Sequence, residues 1–467
     1  MRLRLFGQFF HASIAALAAV EAAAFVGTLY LAYRIRFGTW YPQAPESARD
    51  VLWPCAAVFS AAVVVSLLAF GLYSSRQRAG LAGLSVRLIA ATAAAAVVTA
   101  AAFYVVPSLW LGRGVLGLAA LLALGTTLVS RVLFGRIANE SFFKRRVLVY
   151  GVGQRTTAMS RLRRRADRRD FEIVGFLQPG GEHVCVPAHR VLGSDADLLD
   201  LCDRYEVHEI VMAMEDRRRG FPLRELLECR IAGIEVTELL TFLERATGRV
   251  RIDALNPSWM IFGEGFRRDP LRLLSARLLD LLASLLTVVV SLPVMVVTAL
   301  AIKLEDGWRA PVFYRQARVG LAGHSFDVLK FRSMRTDAER DGQAQWAQKA
   351  DPRVTRVGAV IRTLRIDELP QILNVLRGHM SFVGPRPERP QFVNELAEKI
   401  PYYVLRHCVK PGITGWAQLC YPYGSSEQDA LEKLQYDLYY IKNNSLLFDL
   451  AILVQTAEVV LLGKGAR

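Results

Sequence analysis

The hydrophobic pattern changes character at about residue 140. Before that point four long apolar runs follow one another, at residues 11–33, 51–73, 88–106 and 114–130. A helix needs about 20 apolar residues to cross a bilayer, with about 17 as the lower limit, so each run predicts a transmembrane helix and the fourth is the shortest. Beyond residue 140, short apolar runs at 146–150, 173–177, 209–214 and 234–236 alternate with polar segments of helical pattern. That alternation predicts a parallel α/β sheet. A fifth long apolar run, at 278–302, opens a last third dense in Arg, Lys, Gly and Pro. The expected fold is therefore a membrane protein in three parts. Residues 1–140 form a four-helix transmembrane bundle and 141–258 a Rossmann-like cytoplasmic α/β domain. Residues 259–467 form a mainly α domain with a membrane helix at about 278–302.

Basic residues orient these parts. Arg2 and Arg4 precede the first run, Arg76, Arg78 and Arg87 lie between the second and third, and Arg131, Arg136, Lys144, Arg145 and Arg146 follow the fourth. Cytoplasmic loops collect Lys and Arg, so the N-terminus and everything after residue 140 are expected in the cytoplasm. No small-residue cleavage site follows the first run, which reads as a retained helix. Glu21 falls inside it; charge in lipid is costly, and a bundle-packing role is the preferred reading.

The fifth run has basic residues on both flanks, including Arg272, Arg277, Lys303 and Arg309, so charge gives it no direction of crossing. Pro293, two residues after Ser291, interrupts it. Proline removes one backbone donor and clashes with the carbonyl four residues earlier. The expectation is a re-entrant hairpin that bends at Ser291 and Pro293 and leaves by the face it entered, with Ser291 satisfying a freed backbone group.

Composition changes the picture in one respect. The 467 residues are 52% hydrophobic with a formal net charge of +15. Topology accounts for much of that charge, and the remainder suits anionic lipid or a phosphorylated substrate; no nucleic-acid partner is expected. The six cysteines form no CxxC pair, which fits a reducing compartment.

Two regions carry candidate chemistry. The first is Gly151-Val152-Gly153 after the first cytoplasmic strand, where α/β folds bind phosphate. Thr156 replaces the third glycine of the fingerprint, so a structural or regulatory domain is preferred over a dinucleotide site. The basic run from Arg161 to Arg169 reads as a solvated helix face, with anionic lipid or a nucleotide as the alternative. The second region is the last third. Lys330 and Arg332, Arg362 and Arg365, and Arg386 between two prolines surround the adjacent carboxylates Asp367 and Glu368. Together they describe an anion site. One carboxylate can attack phosphorus while the other holds a metal such as Mg²⁺, and the pattern does not say which does which. Asp437 and Asp449 are further acidic candidates, the latter opening an apolar C-terminal stretch that reads as an interfacial helix. The rival readings are a Rossmann enzyme acting on nucleotide sugars, which would need a complete glycine fingerprint, and a transporter, which would need more intramembrane charge.

Lys330-Phe331-Arg332-Ser333-Met334, Asp367-Glu368-Leu369-Pro370-Gln371, Asn374-Val375-Leu376-Arg377-Gly378, Phe382-Val383-Gly384-Pro385-Arg386-Pro387 and Lys410-Pro411-Gly412-Ile413-Thr414-Gly415-Trp416 resemble, in order, the motifs of the bacterial sugar transferases. These are the monotopic phosphoglycosyl transferases that prime glycan assembly on undecaprenyl phosphate. The N-terminal spans and middle domain resemble the family's long form, and the C-terminal tyrosine-rich segments its exosortase-associated exopolysaccharide branch. The resemblance implies a multi-pass protein of the bacterial inner membrane whose catalytic domain faces the cytoplasm. It implies that Asp367 attacks a UDP-sugar, with UDP-glucose or UDP-galactose as donor, and releases UMP from a phosphosugar-aspartyl intermediate. Undecaprenyl phosphate then takes up the sugar phosphate. Glu368 matches the Mg²⁺ residue, and Lys330, Arg365 and Arg386 match positions near the phosphates. The lipid bilayer, downstream glycosyltransferases and a second copy in a homo-oligomer are the implied partners. The family places Ser directly before Pro in its membrane helix; here Leu292 intervenes.

Overall fold

The computed structural model describes residues 2–5, 8–39, 49–73, 81–109, 111–137, 144–160, 171–193, 197–216, 220–252, 269–335, 353–421, 424 and 426–461. The basic run at 161–169 lies outside them. The chain forms two compact units, Met1–Gly248 and Arg249–Arg467.

After a short antiparallel hairpin of Arg2–Leu5 and Gln8–His11, the first unit has four long helices: α1 (Ala12–Phe37), α2 (Arg49–Ala69), α3 (Leu81–Val105) and α4 (Arg113–Ile137). They coincide with the four predicted runs. With the helix at Pro270–Asp306 they make five among the described residues that are long and apolar enough to cross a membrane, and the chain is a membrane protein. Small and apolar side chains, among them Phe25, Leu29, Phe59, Leu67, Ala91 and Ala119, fill the bundle's interior. Glu21 is buried there and fully partnered. Tyr73 and Ser130 donate hydroxyl hydrogen bonds to its carboxylate, and Arg131 lies 3.4 Å away while stacking over the Tyr73 ring. Its role is to tie α1 to α4 and to the end of α2.

The rest of this unit is a four-stranded sheet. β1 (Arg145–Tyr150), β2 (Phe171–Leu177), β3 (Glu209–Met212) and β4 (Glu235–Glu238) pair in the order β2-β1-β3-β4, all parallel. Val147, Leu148, Val149, Ile210 and Val211 are completely buried, as a parallel sheet covered on both faces requires. Helices α5 (Leu198–Arg204), α6 (Leu223–Ile231) and α7 (Leu239–Thr247) accompany the strands.

The second unit opens with α8, a 37-residue helix from Pro270 to Asp306, about 55 Å long at 1.5 Å per residue. It runs through Pro293 as one helix rather than as two helices joined by a turn. The Ser291 hydroxyl does not satisfy the carbonyl that Pro293 leaves without a donor; it points instead at Met295 Sδ, 3.6 Å away. That expectation is corrected: a short serine side chain one turn before Met295 finds the thioether first. A hairpin of β5 (Phe313–Val319) and β6 (Ser325–Phe331) follows. Then come α9 (Arg356–Thr363), a 3₁₀ turn (Ile366–Gln371), α10 (Ile372–Leu376) and β7 (Ser381–Val383). The chain closes with α11 (Pro390–Lys399), β8 (Gly412–Thr414), α12 (Trp416–Cys420), α13 (Glu427–Asn443) and α14 (Leu446–Leu461). β7 and β8 pair in parallel. Their glycines make this possible: a Cβ on Gly412 would sit 2.1 Å from Gly384 N, and one on Gly415 2.2 Å from Gly384 O.

Polar groups of α8 bolt both of its ends to this same unit. Arg277 donates to the carbonyls of Val375 (2.6 Å) and Leu376 (2.7 Å) at the C-terminus of α10. Asp280 accepts from Ser381 Oγ (2.8 Å) and Phe382 N (2.9 Å) at β7. At the far end, Glu305 accepts from the backbone N–H groups of Arg356 (2.8 Å) and Val357 (3.0 Å), opening α9. Between these anchors the helix exposes Leu285, Leu286, Val289, Val290 and Val297.

Removing Glu21 by Glu21→Ala leaves Arg131 without its buried partner. The expected cost is on the order of 3 kcal/mol, read as a lower unfolding midpoint of the detergent-solubilised protein; Glu21→Gln, which keeps the acceptor, should lose less.

Candidate active site

In a 3₁₀ helix residues three apart eclipse one another. Ile366 and Leu369 are such a pair, and both pack against Ile302 of α8, Phe331 of β6 and Ile361 of α9. Their anchoring turns the two residues between them, Asp367 and Glu368, away from that core. Arg365, just before the turn, has left-handed backbone (φ 55°, ψ 22°). For a side chain with a Cβ that conformation costs about 1–2 kcal/mol, and it persists only where surrounding packing fixes it.

The two carboxylates have opposite surroundings. Glu368 Oε1 accepts from Arg386 at 2.8 Å and has Lys330 Nζ at 3.5 Å; among the described residues Oε2 has only Arg365, at 3.8 Å. Burial alone would raise its pKa, but the Arg386 and Lys330 charges outweigh burial and hold the carboxyl well below the usual range. Asp367 sits beside this cluster with no hydrogen bond or ion pair to its carboxylate among the described residues. Burial first, and then the Glu368 charge, raise its pKa, against the pull of Lys330, Arg362 and Arg386. Glu368 is thus a spent base whose Oε1 is engaged by two cations. Asp367 is the more basic and the less encumbered of the two, which are the properties of a nucleophile.

The cations are held by separate elements. Lys330 comes from β6, where Asn374 fixes the strand against α10 by accepting from Leu329 N (2.9 Å) and donating to Asp327 O (2.7 Å). Burial lowers the Lys330 pKa, with Glu368 opposing. Arg386 is stiffened by Pro385 and Pro387, and its carbonyl accepts from Arg406 at 3.0 Å. Arg318 packs behind, donating to Pro387 O at 3.1 Å. Its burial, near Arg386 and Arg389, brings its pKa down to about 10 although Glu388 opposes the shift.

The structure sorts the remaining sequence candidates. Arg362, in the last turn of α9, acts on Asp367 through its charge. Arg332 is turned the other way, paired at 2.6 Å with Asp306 at the end of α8. Asp437 lies behind the site: it is buried in α13 and pairs with Arg406 at 3.0 Å, the arginine that holds the Arg386 carbonyl. Asp449 is also internal, bound by Arg272 at 2.5 Å and by Tyr440 Oη at 2.9 Å. Arg406, which the motifs did not single out, is the hub of this support, donating to Tyr403 Oη, Asp437 and the Arg386 carbonyl. Between Leu405 and His407 nothing in its local sequence distinguishes it from a surface arginine.

Among the described residues no group of three or more His, Cys, Asp or Glu side chains converges to hold a metal unaided. Mg²⁺ needs only one or two carboxylates when phosphate oxygens complete its shell. Asp367 and the loosely engaged Oε2 of Glu368 fit that requirement. An apolar groove of about 460 Å³ borders the turn, lined by Pro293, Val297 and Ala301 of α8, Val357 and Val360 of α9, and Ile366.

Burial pushes the Asp437 carboxyl up to about 6, with Arg406 opposing. A carboxyl whose pKa rises on folding favours the folded state when protonated. Its contribution is therefore largest below about pH 4 and is lost as pH climbs from there through about 6. Asp437→Asn should remove this slope: the difference in unfolding midpoint between the wild-type protein and Asp437→Asn changes across that window and is flat above it.

Residues 271–463 match the family model described as bacterial sugar transferase. The chain is 42% identical over 296 residues to the UDP-N-acetylgalactosamine-undecaprenyl-phosphate N-acetylgalactosaminephosphotransferase of Aeromonas hydrophila, covering 63% of this chain and 67% of that protein. It is 30% identical, across 99% of its length and 96% of the relative, to the UDP-glucose:undecaprenyl-phosphate glucose-1-phosphate transferase of Xanthomonas campestris pv. campestris. A similarly named Escherichia coli protein is 32% identical over 72% of each chain. The match spans the helix that anchors the site, the carboxylate turn and its cations, and with the full-length similarity it shows that this chain belongs to the bacterial sugar transferase family and is a sugar-1-phosphate transferase.

Proposed function

We propose that the protein transfers a hexose-1-phosphate from a UDP-sugar to undecaprenyl phosphate through a covalent intermediate on Asp367. The observation that carries this reading is the contrast between a half-buried Asp367, without an ion pair among the described residues, and a Glu368 whose Oε1 is held by Arg386 and Lys330. An Asp367 carboxylate oxygen attacks the β-phosphorus and forms a new P–O bond. The bond from that phosphorus to the bridging oxygen breaks, and UMP leaves with the electron pair. A phosphate oxygen of the lipid then attacks the same phosphorus, the Asp367 carboxylate departs, and a lipid diphosphosugar results. Lys330, Arg365 and Arg386 neutralise the diphosphate, and Asp367 with Glu368 Oε2 would hold Mg²⁺, which supplies further neutralisation of phosphate charge when bound.

The same reading places the catalytic unit on the cytoplasmic face of the bacterial inner membrane. Both ends of α8 are bolted to one unit while its middle presents bare apolar side chains. That supports one helix, bent at Pro293, whose middle dips into the bilayer while both ends stay on one face, because a crossing would divide the unit between two faces. The groove that starts at Pro293 and ends at Ile366, next to Asp367, suits the first isoprene units of the acceptor. Priming of exopolysaccharide synthesis is the role such a product serves, and downstream glycosyltransferases are its users. The relatives' names include both glucose and N-acetylgalactosamine donors, so both belong in the assay.

Full-length enzyme in nanodiscs, given labelled UDP-glucose or UDP-N-acetylgalactosamine and undecaprenyl phosphate, should release UMP and label the lipid. Asp367→Asn should cost at least about a thousandfold in rate, and Glu368→Gln about a hundredfold or more. Full turnover by Asp367→Asn refutes the covalent mechanism. UMP release should fall as pH drops, with its acid limb above the ordinary carboxylate range because Asp367 is raised. Filling the groove by Val297→Trp or Val360→Trp should raise the KM for undecaprenyl phosphate about tenfold, worth about 1.4 kcal/mol, while UMP release from the donor in a single turnover is unchanged. An unaltered acceptor KM removes the groove from the scheme and leaves the chemistry standing.

A further inference from the structure

The Gly151-Val152-Gly153 turn follows β1, the strand that lies between β2 and β3. Consecutive strands depart to opposite sides of β1, so the turn sits at the point where ligands of open parallel sheets bind, outside the carboxyl ends of the strands. Backbone N–H groups at such a turn receive phosphate oxygens. Here those donors are already engaged by the chain's own carboxylates. Val152 N–H donates to Glu182 Oε2 at 2.7 Å, and Gln154 N–H donates to Glu215 Oε1 at 2.5 Å. Glu182 Oε1 also accepts from Glu215 N–H at 2.8 Å, joining the two loops. Glu182 follows β2 and Glu215 follows β3, so both sides of the crevice contribute.

Gly153 shows how closely the arrangement is fitted. In a dinucleotide-binding turn the second glycine lets the backbone approach the pyrophosphate. In this protein a Cβ at position 153 would lie 2.4 Å from Glu215 Oε1 and 2.5 Å from its Cδ. The space that glycine opens is filled by a carboxylate. Thr156, which stands where the fingerprint has its third glycine, is completely buried, so that space is closed as well. A nucleotide phosphate arriving here would meet two negative charges and no open donor at Val152 or Gln154.

We propose that this turn is an anion site closed from within, in which Glu182 and Glu215 take the backbone donors that a nucleotide phosphate would use. The α/β part of the first unit then binds no nucleotide in this state, and the glycine pattern serves to seat internal carboxylates. The ligand chemistry the site retains is that of a phosphate group, which gains access when the carboxylates are absent.

Hydrogen exchange of the full-length protein in detergent, resolved at residues 152 and 154, tests this independently of transferase activity. In the wild-type protein both amides should be protected, and neither ADP nor inorganic phosphate should change them. In Glu182→Ala/Glu215→Ala exchange at both should accelerate at least about tenfold and slow again when inorganic phosphate replaces chloride at equal ionic strength. If the double variant does not fold, Glu215→Ala alone should expose the Gln154 amide to phosphate-reversible exchange while Val152 stays protected by Glu182. The proposal is overturned if the wild-type amides exchange freely, if ADP or phosphate protects them further, or if the amides exposed in a variant do not respond to phosphate.

Discussion

The site depends on how one carboxylate is neutralised. Glu368 draws Arg386, Lys330 and Arg365 to a single point from three separate segments of the chain. Without that negative charge three cations would face each other across a few ångströms, and repulsion would spread them. With it they stand together as one cluster. Burial raises the pKa of Asp367 most, and the same charge adds to it, since Asp367 cannot ionise without cost next to an ionised Glu368. One residue thereby gathers three cations and keeps the adjacent carboxylate basic.

This arrangement would be loose on a free loop, and the apolar helix α8 prevents that. Ile302 takes the two apolar residues of the carboxylate turn, Arg277 holds the carbonyls that end α10, and Asp280 holds the start of β7, which leads to Arg386. The segments that feed the site are thus fixed to one long apolar helix. Behind Arg386 the support continues through Arg406 to Asp437. A buried pair of this kind is weak evidence for stability, because desolvation offsets much of its attraction. Its geometric consequence is clearer: it fixes the carbonyl of Arg386 and so the direction from which the guanidinium reaches Glu368.

Much of this was legible in the sequence, for identifiable reasons. The four N-terminal helices and the parallel sheet follow from the lengths of apolar runs, and those lengths are local properties. Asp367, Glu368, Lys330 and Arg386 stand out in the sequence because charge is dense around them, and the fold brings them together. Their division of labour was not legible, since adjacent carboxylates look alike until the direction of each partner is known. Arg332 illustrates the limit: two residues from Lys330, it pairs with Asp306 instead of approaching the dyad. Asp437 and Asp449 read as open acidic candidates because burial by α13 and α14 is a tertiary fact. Arg406 was invisible for the same reason.

The glycine turn after β1 marks the same limit from the other side. Gly151 and Gly153 after the first cytoplasmic strand mark the turn where α/β folds bind phosphate, and with Thr156 in place of the third glycine they favour a structural or regulatory domain over a dinucleotide site. What approaches could not be read locally, because Glu182 and Glu215 belong to the loops after β2 and β3 and meet the turn only once the sheet order β2-β1-β3 exists. A glycine fingerprint reports a steric opening with backbone donors. Whether a ligand or the protein itself fills that opening depends on residues about 30 and about 60 positions away, brought there by the parallel crossovers of the fold.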